Sequence, residues 1–77
     1  MLVFTRPKCK YSSSARKFLT SNNKKFKEIK CIDVDDMVSK IKENKLRVPR
    51  IKTFPRVFDG SNLIGGFDDL KKIYNGG

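Results

Sequence analysis

Histidine is absent from this sequence, cysteine occurs only twice, and 8 acidic residues face 18 basic ones. Each shortage removes a class of function. Without histidine there is no Cys–His or Ser–His–Asp catalytic pairing, and the commonest metal ligand is missing. An ordinary structural zinc site is excluded too, because it needs more Cys or His ligands than one chain offers. Two cysteines cannot build a disulfide scaffold, although they could form a single bridge. No stretch is long and apolar enough to span a membrane. A strand pattern begins directly at Met1, with no apolar signal segment ahead of it. A cytoplasmic, reducing setting with free thiols is therefore the expectation. A chain of 77 residues has room for one small domain, 1–77, with a modest core.

The net charge is +10. Three explanations suit it: nucleic-acid binding, steering of anionic substrates, or a solvated basic surface. The lysines are scattered, no run exceeds two basic residues, and neither an aromatic-rich RNA signature nor zinc-finger spacing is present. Charge alone is thin support for a nucleic-acid partner.

Periodicity gives the order of elements. Met1 to Thr5 suits a buried strand, and Pro7 prevents its simple continuation. From Lys10 to about Thr20, Tyr11, Ala15, Phe18 and Leu19 form one helical face. Ser21-Asn22-Asn23 stops that helix. Phe26 to Val34 reads as a second strand, and its imperfect alternation predicts cover on both faces. Asp35-Asp36 starts a second helix with Met37, Val38 and Ile41 inward and Lys40, Lys42 and Lys45 toward its C-terminus. Arg56-Val57-Phe58 and Leu63-Ile64 flank Asp59-Gly60-Ser61-Asn62, the pattern of an antiparallel hairpin. After Gly65-Gly66, Phe67, Leu70, Ile73 and Tyr74 fall at helical spacing, and Gly76-Gly77 follows a helix stop. The sum is βαβαββα, with the first two strands parallel.

Cys9 sits where the first strand gives way to the first helix, with Arg6, Lys8 and Lys10 beside it. Exposed helix N–H groups, the helix dipole and nearby cations all favour thiolate, the reactive form. A free cysteine is more often a small buried hydrophobe. Basic residues on both sides make the nucleophile the better reading of this one.

Three pieces in this order resemble the glutaredoxin branch of the thioredoxin-like fold over nearly the whole chain. Cys9-Lys10-Tyr11-Ser12 stands where that family has C-P-Y-C. Thr53-Phe54-Pro55 is similar to its T-V-P segment, and Gly65-Gly66-Phe67-Asp68-Asp69-Leu70 to its G-G-x-x-D-L signature. The resemblance implies an α/β domain with a four-stranded mixed sheet flanked by three helices. Locally, Pro55 reads as an ordinary proline opening an edge strand. The family's proline is cis, which would leave the backbone of Phe54 free to pair with an extended peptide. Locally, Gly65-Gly66 reads as a loop with helix-capping aspartates. The resemblance makes it the seat of glutathione's γ-glutamyl end, with the N–H groups of Phe67 and Asp68 on the carboxylate and an aspartate on the ammonium. It further implies that Arg6 and Lys52 meet the glycine carboxylate or the thiolate and that Tyr11 lines the groove. The implied glutathione-binding set is Arg6, Tyr11, Lys52, Thr53, Phe54, Pro55, Gly66, Phe67, Asp68 and Asp69. A polar contact from the second helix falls near Lys42.

Ser12 departs from the dithiol pattern, and a hydroxyl cannot replace a thiol in disulfide exchange. The resemblance then implies a monothiol glutathione–disulfide oxidoreductase in which Cys9 attacks protein–glutathione mixed disulfides. Glutathione is the co-substrate, glutathionylated proteins are the targets, and a monomer is expected. Cys31, in the second strand, is expected to be structural. Two other readings remain. One is a [2Fe–2S] cluster shared by two chains through Cys9 and glutathione, although related C-G-F-S sites have small Gly where this chain has Lys10. The other is a non-catalytic basic binding module.

Overall fold

The computed structural model describes residues 1–75, so the expected chain ending at Gly76-Gly77 lies outside the described residues. The elements follow in the order β1 (Leu2–Thr5), α1 (Lys10–Ser21), β2 (Lys27–Lys30), α2 (Val34–Glu43), β3 (Arg56–Asp59), β4 (Asn62–Gly65) and α3 (Phe67–Asn75). The sheet has four strands in the order β2-β1-β3-β4. β1 runs parallel to β2 and antiparallel to β3, and β3 and β4 form the hairpin. This is the mixed four-stranded sheet with three helices that the sequence leads one to expect.

Successive residues of a strand face opposite sides of a sheet, and the two central strands use both. Val3 and Val57 pack with Ala15 and Leu19 of α1 and Leu70 of α3. Phe4 and Phe58 pack on the other face with Met37 and Ile41 of α2 and with Cys31. The Phe4 and Phe58 rings meet edge to face at 5.6 Å. Phe18 and Phe67 do the same at 6.1 Å, which ties α1 to α3.

The second strand differs from its expected form. Lys27–Lys30 alone pair with β1, and the strand order leaves β2 at the edge with Lys27 and Lys30 exposed. Ile32, expected inside, is 77% exposed. Asp35 and Asp36 lie in the first turn of α2 as expected, and Asp33 caps it: its carboxylate accepts from the Asp36 N–H at 2.8 Å. The Asp36 carboxylate accepts in return from the Ile32 N–H at 2.8 Å, so two orphan donors are satisfied reciprocally. The Cys31 N–H still donates to the Thr5 carbonyl at 2.7 Å, and beyond it the chain turns into the cap of α2. In α1 the inward face is Ser12, Ala15 and Leu19. Tyr11, expected on that face, is 63% exposed, because the smaller Ser12 takes the inward position beneath the β1–α1 loop.

Leu19 is fully buried among the residues of its face. Leu19→Ala is expected to cost about 2–5 kcal/mol, read from the midpoint of urea unfolding. A loss below about 1 kcal/mol would mean that the α1 face packs loosely.

Candidate active site

β1 ends at Thr5 and α1 begins at Lys10, so the connection places Cys9 at the N-cap of α1, half-buried and unpaired with any other sulfur. Burial by itself pushes the Cys9 thiol up. The backbone N–H of Ser12, its hydroxyl, the N–H of Tyr11 and the charge of Arg6 together outweigh it and hold the thiol below its ordinary value. Thiolate is thereby favoured at lower pH. Ser12 is buried, and its oxygen accepts from the Arg6 N–H at 3.2 Å. It therefore braces the loop as well as facing the sulfur. Beneath it, Thr5 donates to Glu28 at 2.7 Å, Arg16 pairs with Glu28 at 3.3 Å, and Arg16 donates to Ser13 at 3.1 Å. These contacts tie the end of β1, β2 and α1 together under the thiol.

Cys31 has the opposite setting. It lies just past β2, buried against α2, and its thiol donates to the Ile29 carbonyl at 3.5 Å. Burial pushes its pKa up. It packs as an apolar side chain.

A cavity of about 320 Å³ is lined by Tyr11, by Thr53, Phe54, Pro55 and Arg56, and by Gly66, Phe67, Asp68 and Asp69. Eight residues singled out in the sequence thus share one groove although they come from three separate segments. Arg6 and Lys52 lie elsewhere: with Cys9, Thr53 and Phe54 they line an adjoining groove on the other side of Phe54. Lys42 is exposed on α2 and lines neither. The Phe54–Pro55 peptide bond is cis.

At the head of α3, Asp69 accepts from the Gly66 N–H at 3.1 Å, the local capping role. Asp68 is exposed toward the groove. The two glycines sit where no side chain fits. A Cβ on Gly65 would meet the Asp69 carboxylate carbon at 2.8 Å, and Gly65 has φ 125°, a backbone conformation that glycine tolerates. A Cβ on Gly66 would stand 2.8 Å from the Arg56 guanidinium.

The glutaredoxin family model matches residues 1–64 of the chain. The chain belongs to the glutaredoxin family. Glutaredoxins are thiol oxidoreductases that use glutathione, with a thioredoxin-like fold. The chain is 29% identical over 76 residues to monothiol glutaredoxin-3 of Schizosaccharomyces pombe; that match covers 96% of this chain and 46% of the relative's length. It therefore spans about half of the curated relative. Glutaredoxin 1 of Francisella tularensis superposes with a TM-score of 0.77 at 26% identity, covering 97% of this chain and 91% of that one. A glutaredoxin from Brucella melitensis gives a TM-score of 0.73 at 30% identity, covering 99% and 78%.

Arg56 was not singled out from sequence, where it reads only as the first residue of a strand. In this glutaredoxin its guanidinium is buried, donating from Nε to the Pro55 carbonyl at 3.0 Å and from Nη2 to the Thr53 hydroxyl at 3.0 Å. Burial lowers its pKa, and Asp69 opposes that shift. Both hydrogen bonds hold the Thr53–Pro55 segment, and the guanidinium fills the space beside Gly66. The available signal was an arginine directly after Pro55, in a strand otherwise apolar at Val57 and Phe58.

Two outcomes are expected. Ser12→Ala should raise the Cys9 pKa, so that alkylation of Cys9 falls off at higher pH than in the parent chain; an unchanged pH profile would remove the hydroxyl from the account. Arg56→Met should cost about 1–3 kcal/mol in urea unfolding, the scale of hydrogen bonds to a charged group. A change under about 0.5 kcal/mol would show that the bonds to Thr53 and Pro55 carry little.

Proposed function

We propose that the chain reduces protein–glutathione mixed disulfides by a monothiol mechanism through Cys9. The observation that carries this reading is a single thiol of lowered pKa in the groove that adjoins the one at α3, with a hydroxyl, Ser12, in the position of the second thiol. The Cys9 thiolate attacks the glutathione sulfur of the mixed disulfide. The target–sulfur bond breaks, and the target leaves as a thiolate that takes up a proton. Cys9 then carries glutathione. The thiolate of a second glutathione attacks the sulfur of that bound glutathione, Cys9 leaves as thiolate, and oxidised glutathione departs. The net exchange balances: the target's sulfur passes from disulfide to thiol, and that of the one incoming glutathione passes from thiol to disulfide. This is covalent, two-stage catalysis, and an already ionised Cys9 needs no general base.

Recognition chooses which sulfur is attacked. The γ-glutamyl carboxylate sits on the N–H groups of Phe67 and Asp68 at the positive end of α3, beside Gly66. Its ammonium sits on Asp68, because Asp69 already caps Gly66. The cysteinyl backbone pairs with Phe54, between Thr53 and Pro55, in the manner of an added strand. Tyr11 covers the groove, and Arg6 and Lys52 take the glycine carboxylate. A monomer suffices for each step, and a reducing compartment such as the cytoplasm supplies the glutathione.

One chain presents one thiol at this site, since Cys31 is buried in the core. A [2Fe–2S] cluster would therefore need a second chain and outside thiols, and the donor set of a single chain does not fit it.

The test is glutathione-dependent turnover of a small glutathione mixed disulfide, coupled to glutathione reductase and NADPH. Turnover lost in Cys9→Ser and kept in Cys31→Ser is the expected result. No turnover in the parent chain would overturn the reading. Visible absorbance after anaerobic reconstitution would then favour the cluster, and salt-sensitive nucleic-acid binding unchanged in Cys9→Ala would favour the binding module.

A further inference from the structure

A further groove is lined by Lys8, Cys9, Lys10, Ser13, Ser14 and Lys17 and shares no residue with the groove at α3. The adjoining groove adds Arg6 and Lys52. No acidic residue lines either one, whereas the groove at α3 carries Asp68 and Asp69. Among the described residues the salt bridges are Arg16–Glu28 and Lys40–Asp36, so Lys8, Lys10 and Lys17 stand without an acidic partner. Cys9 therefore lies on a boundary, with acids on one flank and unpaired cations on the other.

Two of these lysines occupy places that local physics disfavours. Lys8 has φ 64°, in the left-handed region where a side chain is strained and glycine is not. Lys10 is the first residue of α1, whose first turn contains no acid. A cation there opposes the positive end of the helix dipole. Locally unfavourable choices persist where function compensates them. Here both concern the same charge, on the same groove, beside the same sulfur.

We propose that the Lys8–Lys10–Lys17 groove is a specificity site for target proteins that carry acidic residues next to the glutathionylated cysteine. This rests on the function proposed above. With glutathione in the α3 groove, the target half of the disulfide has to leave Cys9 on the opposite flank, where this groove opens. Lys10 and Lys17 lie seven positions apart on α1, roughly 10 Å along its axis. An extended chain covers that span in about three residues, so acids within three positions of the cysteine can reach these lysines. Nucleic acid would satisfy the same charges. The groove opens on a thiol, however, whose partner must supply sulfur, and a polypeptide does.

Exposed ion pairs are each worth roughly a twofold to fivefold effect on affinity, and they are screened by salt. Three such pairs should change kcat/KM by about tenfold, through KM, since charge complementarity acts on encounter and selection.

The test uses one glutathionylated peptide with acidic, neutral or basic residues within three positions of its cysteine, at low and high salt. A small non-peptide glutathione mixed disulfide serves as reference. The acidic peptide is expected to exceed the basic one by about tenfold or more in kcat/KM at low salt, with the gap closing as salt rises. Lys17→Glu should cut the preference to about twofold while leaving the reference rate and the Cys9 pKa unchanged. Lys8→Gly should weaken the preference while keeping or raising the unfolding midpoint, since glycine relieves the left-handed backbone. Equal rates for the three peptides, with normal turnover of the reference, would overturn this proposal alone. So would lysine-dependent binding of a single-stranded oligonucleotide with no effect of peptide charge. Failure of the reference reaction would overturn the proposed function and this site with it.

Discussion

Val3 and Phe4 are neighbours in the chain and belong to different cores. That division of β1 is the constraint on which the remaining architecture depends. A central strand buried on both faces needs helices on both sides, and α1 and α3 cover one face while α2 covers the other. β3 repeats the division with Val57 and Phe58. Once β1 is fixed between β2 and β3, the point at which it ends is fixed as well, and the loop to α1 delivers Cys9 to the rim of the sheet. The antiparallel start of β3 brings Thr53, Phe54 and Pro55 to that same rim. The site is a consequence of where two buried strands meet the surface.

The lowered pKa at Cys9 comes from a contest between burial and nearby donors. Half-burial opposes ionisation, while the first-turn N–H groups and the Ser12 hydroxyl favour it. Cys31 has burial without comparable donors, and its shift runs the other way. One residue type thus has two opposite settings in a single small chain, a thiol held toward thiolate and a core filler, and the difference is made by the end of a helix. Arg56 supplies the complementary rigidity: a buried guanidinium with two hydrogen bonds holds the Thr53–Pro55 segment, and Gly66 leaves it the space.

Much of this was legible in the sequence where the signal is local. The strand before Pro7, the helix after Cys9, the Asp59-Gly60 turn and the Gly65-Gly66 helix start each carry their own chemistry within a few residues. The misjudged parts depend on neighbours distant in sequence. The apolar residues from Phe26 to Val34 look like a buried strand. Its position at the sheet edge is set by pairing order, and Asp33 and Asp36 cut it short by capping α2. Tyr11 matched the helical period, yet Ser12 fits beneath the loop and Tyr11 faces outward. Arg56 read only as the start of a strand because its acceptors, the Pro55 carbonyl and the Thr53 hydroxyl, are oriented by the fold of that segment. The residues of the groove could be named from sequence through the family motifs, but their division into an acidic flank and a basic flank around Cys9 required coordinates.

The short edge strand has a consequence for how these molecules meet one another. β2 leaves one row of backbone groups unpaired by any neighbour in the sheet, the kind of border on which strands of separate molecules stack into aggregates. Its two outermost residues are Lys27 and Lys30, both exposed. A second copy aligned antiparallel on that border would bring lysine directly opposite lysine, an arrangement that repels. The chain thus carries its own gatekeepers along the β2 margin of the sheet, drawn from the same excess of positive charge that surrounds the thiol.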